Sequence, residues 1–391
     1  MIIINMPGSE LIGIEELKEI QKLFASEKVI LYRYGPGNYK TREFEKKFAD
    51  YMGVKYAHAV SSGTAAIHSA LASIGISEGD EIITTAWTFV APIEAIILTG
   101  AVPILANIDR TFNINPDEVE GLITDKTKAI ISVPMWSAPD MDKLIEIAKN
   151  NNLILVEDAA QSLGATYKGK KLGTFGKVGT FSFDFGKTIN TGEGGMVVTN
   201  DKSIYDKVAE FSDHGHMHVE NLPRGKDPRR KPGLNYRISE LTSAVGIAQL
   251  NKIDFILKQT KKNKSIIKNA IKNISGIEFR EFSDEDGSQG DTIIFSLDSH
   301  EKALKFENVF NDKGFGTKIL PEAIDWHYAG VWEHILPKYK CYSDVDLELQ
   351  FQKTGDLLRR SICINIPVIM VNKELDIFIE TLIFTIKLIC D

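Results

Sequence analysis

Leu153-Ile154-Leu155-Val156-Glu157-Asp158-Ala159-Ala160-Gln161 runs four apolar residues into a pair of acids. The apolar run describes a strand covered on both faces, and the acids mark its carboxyl end. In open α/β sheets that end is where ligands bind. The neighbouring sequence supports a sheet of this kind. On the amino-terminal side, short β-rich runs at His58–Ser61, Glu81–Thr85, Val102–Ile108 and Ala129–Val133 alternate with helical patterns. The helices are predicted at Thr64–Ile74, around Pro92–Leu98, from near Asn115, and at Asp140–Asn150. Strands alternating with helices at this spacing imply a parallel sheet between two helical layers. On the carboxyl-terminal side, strands Gly179–Asp184 and Met196–Thr199 flank a glycine-rich loop.

Two amphipathic helices, Gly13–Phe24 and Lys40–Tyr51, precede this region, the second carrying Tyr39, Phe44, Phe48 and Tyr51 at helical spacing. From Ile238 to about Lys272 the pattern is long and helical, and it is read as a connecting helix. The chain is expected to divide into residues 1–250, a large unit with an N-terminal arm, and residues 251–391, a smaller α+β unit.

At 391 residues and 43% apolar composition the chain has enough core to need no disulfide or metal. Its three cysteines, Cys341, Cys363 and Cys390, lack metal-ligand or redox spacing and are read as ordinary thiols. The opening MIIINMPGSELIG has no basic region and meets Pro7 early, unlike a secretion signal. Ile93–Ala106, the most apolar stretch, is too short to span a bilayer. With 46 basic and 53 acidic residues the net charge of −7 argues against nucleic acid as a partner. A soluble, cytoplasmic chain is expected. Arg224–Lys231 (RGKDPRRK) is read as a solvated loop, with a positive lip for an anionic substrate as the sharper alternative.

Three segments carry chemistry. Ser61-Ser62-Gly63-Thr64-Ala65-Ala66 follows a strand and opens a helix, where unpaired N–H groups and the helix dipole favour a phosphate. By itself such a segment is more often only a helix cap. Asp158, at the end of its strand, is placed to hold a pyridinium nitrogen protonated, which makes pyridoxal 5′-phosphate (PLP) an electron sink. Gln161 lies within reach of the ring's phenolic oxygen if the chain turns there, and the alternative is that Asp158 caps the next helix. The third segment is Ser182-Phe183-Asp184-Phe185-Gly186-Lys187-Thr188-Ile189-Asn190-Thr191-Gly192-Glu193-Gly194-Gly195. It sets a lysine, the residue PLP enzymes need for a Schiff base and proton shuttle, in a glycine-rich turn. No G-x-G-x-x-G or P-loop pattern follows a strand, so a nucleotide-binding module is disfavoured.

Together with Gly233-Leu234-Asn235-Tyr236-Arg237-Ile238-Ser239-Glu240, these segments resemble the DegT/DnrJ/EryC1/StrS family of PLP-dependent sugar aminotransferases. The resemblance covers Pro7 to about Gln249 well and the remainder loosely. It implies aminotransferase fold type I: an α/β large domain with a mostly parallel seven-stranded sheet between helices, and a smaller C-terminal α+β domain. Residue by residue, it implies that Lys187 is the Schiff-base lysine and Asp158 the partner of the pyridine nitrogen, with Gln161 near the phenolic oxygen. Ser62, Gly63, Thr64, Ala65 and Ser182 match the phosphate cradle, and Phe89 falls where the family stacks an aromatic ring on the cofactor. Asn235 matches a residue that reaches the phosphate from a neighbouring subunit, which implies a homodimer with shared active sites.

Two departures stand out. Val133-Pro134-Met135-Trp136-Ser137 lacks the His and Gly common in the family after the fourth strand. Ser212-Asp213-His214-Gly215-His216-Met217-His218 is rich in histidine, and is read as a loop lining the site mouth, with no metal site expected. Family members that remove the sugar 3-hydroxyl carry a histidine at the lysine position; Lys187 therefore implies transamination. The expected donor is glutamate or glutamine and the expected acceptor a keto- or aldehyde-sugar for a cell-surface polysaccharide. Met6–Leu11, Phe211–His216 and Asp325-Trp326-His327-Tyr328 look nearest to a subgroup aminating the terminal aldehyde of an eight-carbon keto-deoxy sugar acid. A small phosphorylated ketone is the alternative acceptor, and Arg33, Arg224, Arg229 and Arg230 are candidates to meet a carboxylate or phosphate of whichever acceptor binds. Other PLP chemistry such as decarboxylation, and a non-catalytic PLP-binding sensor, are the rival readings.

Overall fold

The computed structural model describes residues 7–25, 28–34, 39–319, 324–370 and 372–390. Met6 of the opening motif lies outside them. Seven strands form one sheet: β1 (Tyr56–Val60), β2 (Glu81–Thr85), β3 (Val102–Ala106), β4 (Thr127–Ser132), β5 (Ile154–Asp158), β6 (Val178–Ser182) and β7 (Gly195–Thr199). Their order is β1-β7-β6-β5-β4-β2-β3, and only β7 runs against the others. The central strands β6 and β7 are buried along their whole length, as two-sided coverage by helices requires.

Helices α1 (Ile14–Phe24), α2 (Lys40–Met52), α3 (Gly63–Ile74), α4 (Ala91–Leu98), α5 (Met141–Asn150) and α6 (Lys202–Phe211) accompany the sheet. Local chemistry sets their ends. Ser62, Asp140 and Asp201 accept N–H groups of the first turns of α3, α5 and α6, and Gly75 closes α3 in the left-handed region. The long helical pattern expected from Ile238 resolves into two helices, α7 (Glu240–Leu250) and α8 (Ile253–Ile271). They part where the Lys252 ammonium turns to Glu16 (2.6 Å) and the Leu11 carbonyl. The helix expected from Asn115 is a single turn, Pro116–Val119, followed by a 3-10 turn. Beyond α8, strands β8 (Glu278–Phe279), β9 (Thr292–Ser296), β10 (Lys318–Ile319) and β11 (Ser361–Asn365) make an antiparallel sheet in the order β8-β9-β11-β10. Helices α9 (His300–Asp312) and α11 (Asn372–Cys390) share its apolar core, and α10 (Gln352–Arg359) leads into β11.

Strand β1 is an edge strand, and an unpaired edge needs its backbone satisfied. The Ala59 N–H donates to Glu45 Oε1 at 2.7 Å, and Arg33 Nη1 donates to the Ala59 carbonyl at 2.6 Å. Arg33 and Glu45 also pair with each other at 2.5 Å, both buried. This assignment corrects the expectation that Arg33 is free to meet a substrate anion: its charge is consumed inside the fold. Removing one member of a buried pair strands the other charge, at a cost of about 3–5 kcal/mol. Glu45→Ala is therefore expected to lower the unfolding free energy by about that amount in urea titration; a change under ~1 kcal/mol would remove the pair from the account of how β1 is closed.

Candidate active site

The carboxyl ends of β1, β6 and β5 and the start of β7 lie side by side, because Val60 pairs with Gly195, Ser182 with Gly195, and Asp158 with Thr180. Adjacent strands are about 4.8 Å apart, so this edge brings residues distant in sequence within reach of one small ligand. Two glycines permit the closest approach. A Cβ on Gly195 would stand 2.2 Å from the Ser62 carbonyl, and a Cβ on Gly63 would stand 2.8 Å from Ser182 Cβ. The first turn of α3 thus crosses the start of β7 and rests on the end of β6. Gly63 and Ser182 are in direct contact at the N-terminal turn of the helix, with Thr64 the next residue of that turn. Ala65 is buried, and its N–H is taken by the Ser62 hydroxyl at 3.1 Å.

Glu157 and Asp158 point to opposite faces, as neighbours on a strand must. Glu157 accepts the N–H groups of Gly173, Phe175 and Gly176 at 2.6–2.7 Å and pins that loop beneath the sheet. Asp158, on the other face, is only 5% exposed. Burial pushes its carboxyl up to about 6, and the Ala160 N–H and the nearby Lys187 charge offset part of that rise. A carboxylate so placed is stabilised by a cation arriving beside it. Gln161 is half-buried in the turn that follows.

Lys187 is half-buried in the loop between β6 and β7. Its N–H donates to the Asp184 carbonyl, and its own carbonyl accepts the Gly8 N–H, both at 3.1 Å. The Ser9 hydroxyl donates to the Phe185 carbonyl at 2.7 Å, and Asn190 Nδ2 donates to the Ser9 Oγ at 2.9 Å. The short helix Pro7–Glu10 therefore props the lysine loop, a role for Gly8 and Ser9 that strand and helix patterns do not disclose.

The remaining candidates are less tightly gathered. Phe89, 38% exposed, lies two strands further on, its ring 6.3 Å from Trp326 and nearly parallel to it (14°). Asn235 is exposed on a ribbon in which residues 213–236 fold back on themselves, its backbone bridging Asp213. The ribbon's root meets the site, since the Tyr236 carbonyl accepts the Ser61 N–H at 2.8 Å. The histidines of this ribbon have other partners. His216 Nδ1 lies 3.2 Å from Asp227, and His218 stacks on Tyr34 at 4.3 Å. Arg224 forms a two-pronged contact with the buried Asp213, so the RGKDPRRK segment is partly an internal clasp. Residues Met135, Trp136 and Ser137 are buried, held from inside by Arg280, which donates to the Met135 carbonyl and Ser137 Oγ. A cavity of about 1520 Å³ runs along the outer edge of β1, lined by Tyr34, His58, Tyr205 and His218, and contains neither Asp158 nor Lys187. Chemistry rather than volume locates the site. Among the described residues no helix is long and apolar enough to cross a membrane.

The match of residues 11–382 to the model of the DegT/DnrJ/EryC1/StrS aminotransferase family settles the lineage. The chain belongs to that family. It is 43% identical over 244 residues to the GDP-perosamine synthase of Escherichia coli O157:H7, a stretch covering 62% of this chain and 64% of that protein. It is 32% identical over 383 residues to the spore coat polysaccharide biosynthesis protein SpsC of Bacillus subtilis, covering 89% and 96%. The aminotransferase of Psychrobacter cryohalolentis superposes with a TM-score of 0.84 at 26% identity, over 97% of this chain and 98% of that one. The fold is aminotransferase fold type I, and enzymes of the family depend on PLP. The residues present fit that cofactor: a helix N-terminus over two obligatory glycines suits its phosphate, and a buried acid suits its ring nitrogen.

The raised pKa has a consequence for stability. Folded Asp158 binds its proton more tightly than the free side chain, so the protein loses stability as pH rises from about 4 to about 6 and does not regain it above. Stripped of cofactor, Asp158→Asn is expected to melt with the wild type near pH 4 and at a higher temperature at pH 7.5. Equal melting temperatures at both values would mean the carboxyl ionises normally.

Proposed function

We propose that the protein is a PLP-dependent sugar aminotransferase, moving an amino group from glutamate or glutamine to a keto-sugar carried on a nucleoside diphosphate. The product would serve the building of a cell-surface polysaccharide. The observation that carries the reading is the pairing of a buried, high-pKa acid with a lysine at the carboxyl edge of one sheet, facing the N-terminus of α3. Bound there, PLP supplies an electron sink that acidifies the α-hydrogen of an amino acid joined to it.

The chain's own residues do the rest. Gly63, Thr64 and Ser182 hold the phosphate, and Gln161 hydrogen-bonds the phenolic oxygen. Asp158 would accept a hydrogen bond from the protonated ring nitrogen, whose charge would offset the desolvation that otherwise raises its pKa. Lys187 is the group that anchors the cofactor and, once released, takes up and returns a proton at Nζ. Phe89 covers a ring face. Asn235, on its exposed ribbon, is assigned to a second subunit's phosphate, in a homodimer with two shared sites. For the acceptor, the name of the 43%-identical relative supports a nucleotide-linked sugar over the eight-carbon keto-deoxy acid.

With PLP, the wild type is expected to show a visible absorption band that glutamate converts to a near-ultraviolet one with release of 2-oxoglutarate. A GDP-linked keto-sugar is expected to restore the band better than the eight-carbon acid. Lys187→Ala should lose the covalent band and at least about a thousandfold in turnover. A wild-type band indifferent to glutamate, glutamine and other amino acids would overturn the reading in favour of decarboxylation or cofactor sensing.

A further inference from the structure

We infer that Gln289, from the smaller C-terminal unit, is the positioning residue that braces the lysine loop against its two neighbours; this rests on the role of Lys187 proposed above. Gln289 lies between β8 and β9 and is 2% exposed. Its backbone N–H donates to the Trp136 carbonyl at 3.0 Å. Its side-chain nitrogen donates to the Leu163 carbonyl at 3.1 Å and to Thr188 Oγ1. Its backbone carbonyl accepts the Thr260 hydroxyl at 3.3 Å, which ties the residue to α8.

Trp136, Leu163 and Thr188 belong to the loops that leave β4, β5 and β6, three adjacent strands at the site edge. The second of these loops begins at the acid and the third contains the lysine. One primary amide therefore spans the turn after Asp158 and the residue after Lys187, with one hydrogen committed to each. A carboxylate of the same size has no hydrogen to give, and a hydrocarbon of the same size would leave the buried Thr188 hydroxyl and the Leu163 carbonyl without that donor. The Lys187 backbone is already fixed on its other side by Gly8, so Thr188 is where the C-terminal unit takes hold of the loop. A brace of this kind sets the separation of the lysine amine from Asp158. It acts on the ionisation of the lysine and on turnover, and leaves substrate affinity alone.

The test uses full-length Gln289→Met, which keeps the volume, and Thr188→Val, which removes only the hydroxyl at the other end of the bond. In each PLP-loaded protein the pH midpoint of the visible band is expected to move by about half a unit or more, in the same direction. Hydrogen exchange in residues 159–164 and 184–190 should rise about tenfold together, with turnover about tenfold lower and KM for the amino donor within about twofold. Wild-type midpoint and exchange in a folded Gln289→Met protein would overturn the inference. Should that variant not fold, Thr188→Val decides by the same two readouts. If the wild type transfers no amine, the proposed function fails; the exchange measurement still decides whether the brace exists.

Discussion

The candidate site is organised around one carboxyl group taken out of water, that of Asp158. Charge on a buried acid is disfavoured, and Asp158 receives only partial compensation from the Ala160 N–H and from Lys187 across the strand ends. The site therefore holds an acid whose ionised form burial disfavours. Under the proposed function, a protonated ring nitrogen would offset that burial, so the feature that costs folding stability would also favour the cofactor's protonated ring. The strand's alternation makes this possible. Glu157, one residue earlier, faces away and is saturated by three backbone N–H groups, which leaves Asp158 alone on the ligand side.

Holding the lysine opposite that acid is a task shared across the chain. The N-terminal Gly8 and Ser9 grip its loop from one side, and Gln289 reaches Thr188 from the other. Glu10 then accepts the N–H groups of Val368 and Ile369 at 3.0 Å, so the N-terminal support is itself tied to the C-terminal unit. Arg280 adds a further tie. Buried, with its pKa pushed down to about 10, it donates to backbone carbonyls and Ser137. The smaller sheet thus acts as a strut that fixes the loops of the larger one.

The edge strand explains why a large cavity lies away from the candidate site. Among the described residues β1 has only the isolated bridge of Val60 to Arg237 on its outer side, and Arg33 and Glu45 satisfy Ala59 there. Space remains along the edge, lined by residues of both charges together with aromatic and apolar ones. The candidate site is built from strand ends and loop turns held close together, such as the Ser62 carbonyl against Gly195.

The linear sequence determined the elements and the chemical cast. Apolar runs bounded by turn residues placed the strands of the large sheet within a few residues of where they lie, because two-sided burial demands continuous hydrophobicity. Asp158 at the end of its strand, the lysine in a glycine-rich turn and the Ser-Gly-Thr cap could be picked out as candidates for a similar reason: each is a local arrangement of neighbours in the chain. What the sequence left open was every partnership between distant segments. It did not show that Arg33 closes an edge strand, that Arg224 folds back onto Asp213, that Pro7–Glu10 props the lysine, or that Gln289 spans three loops. A lone arginine or glutamine carries no periodic signal, and its role is set by which carbonyl or carboxylate the fold brings within about 3 Å. Tertiary structure alone decides that distance.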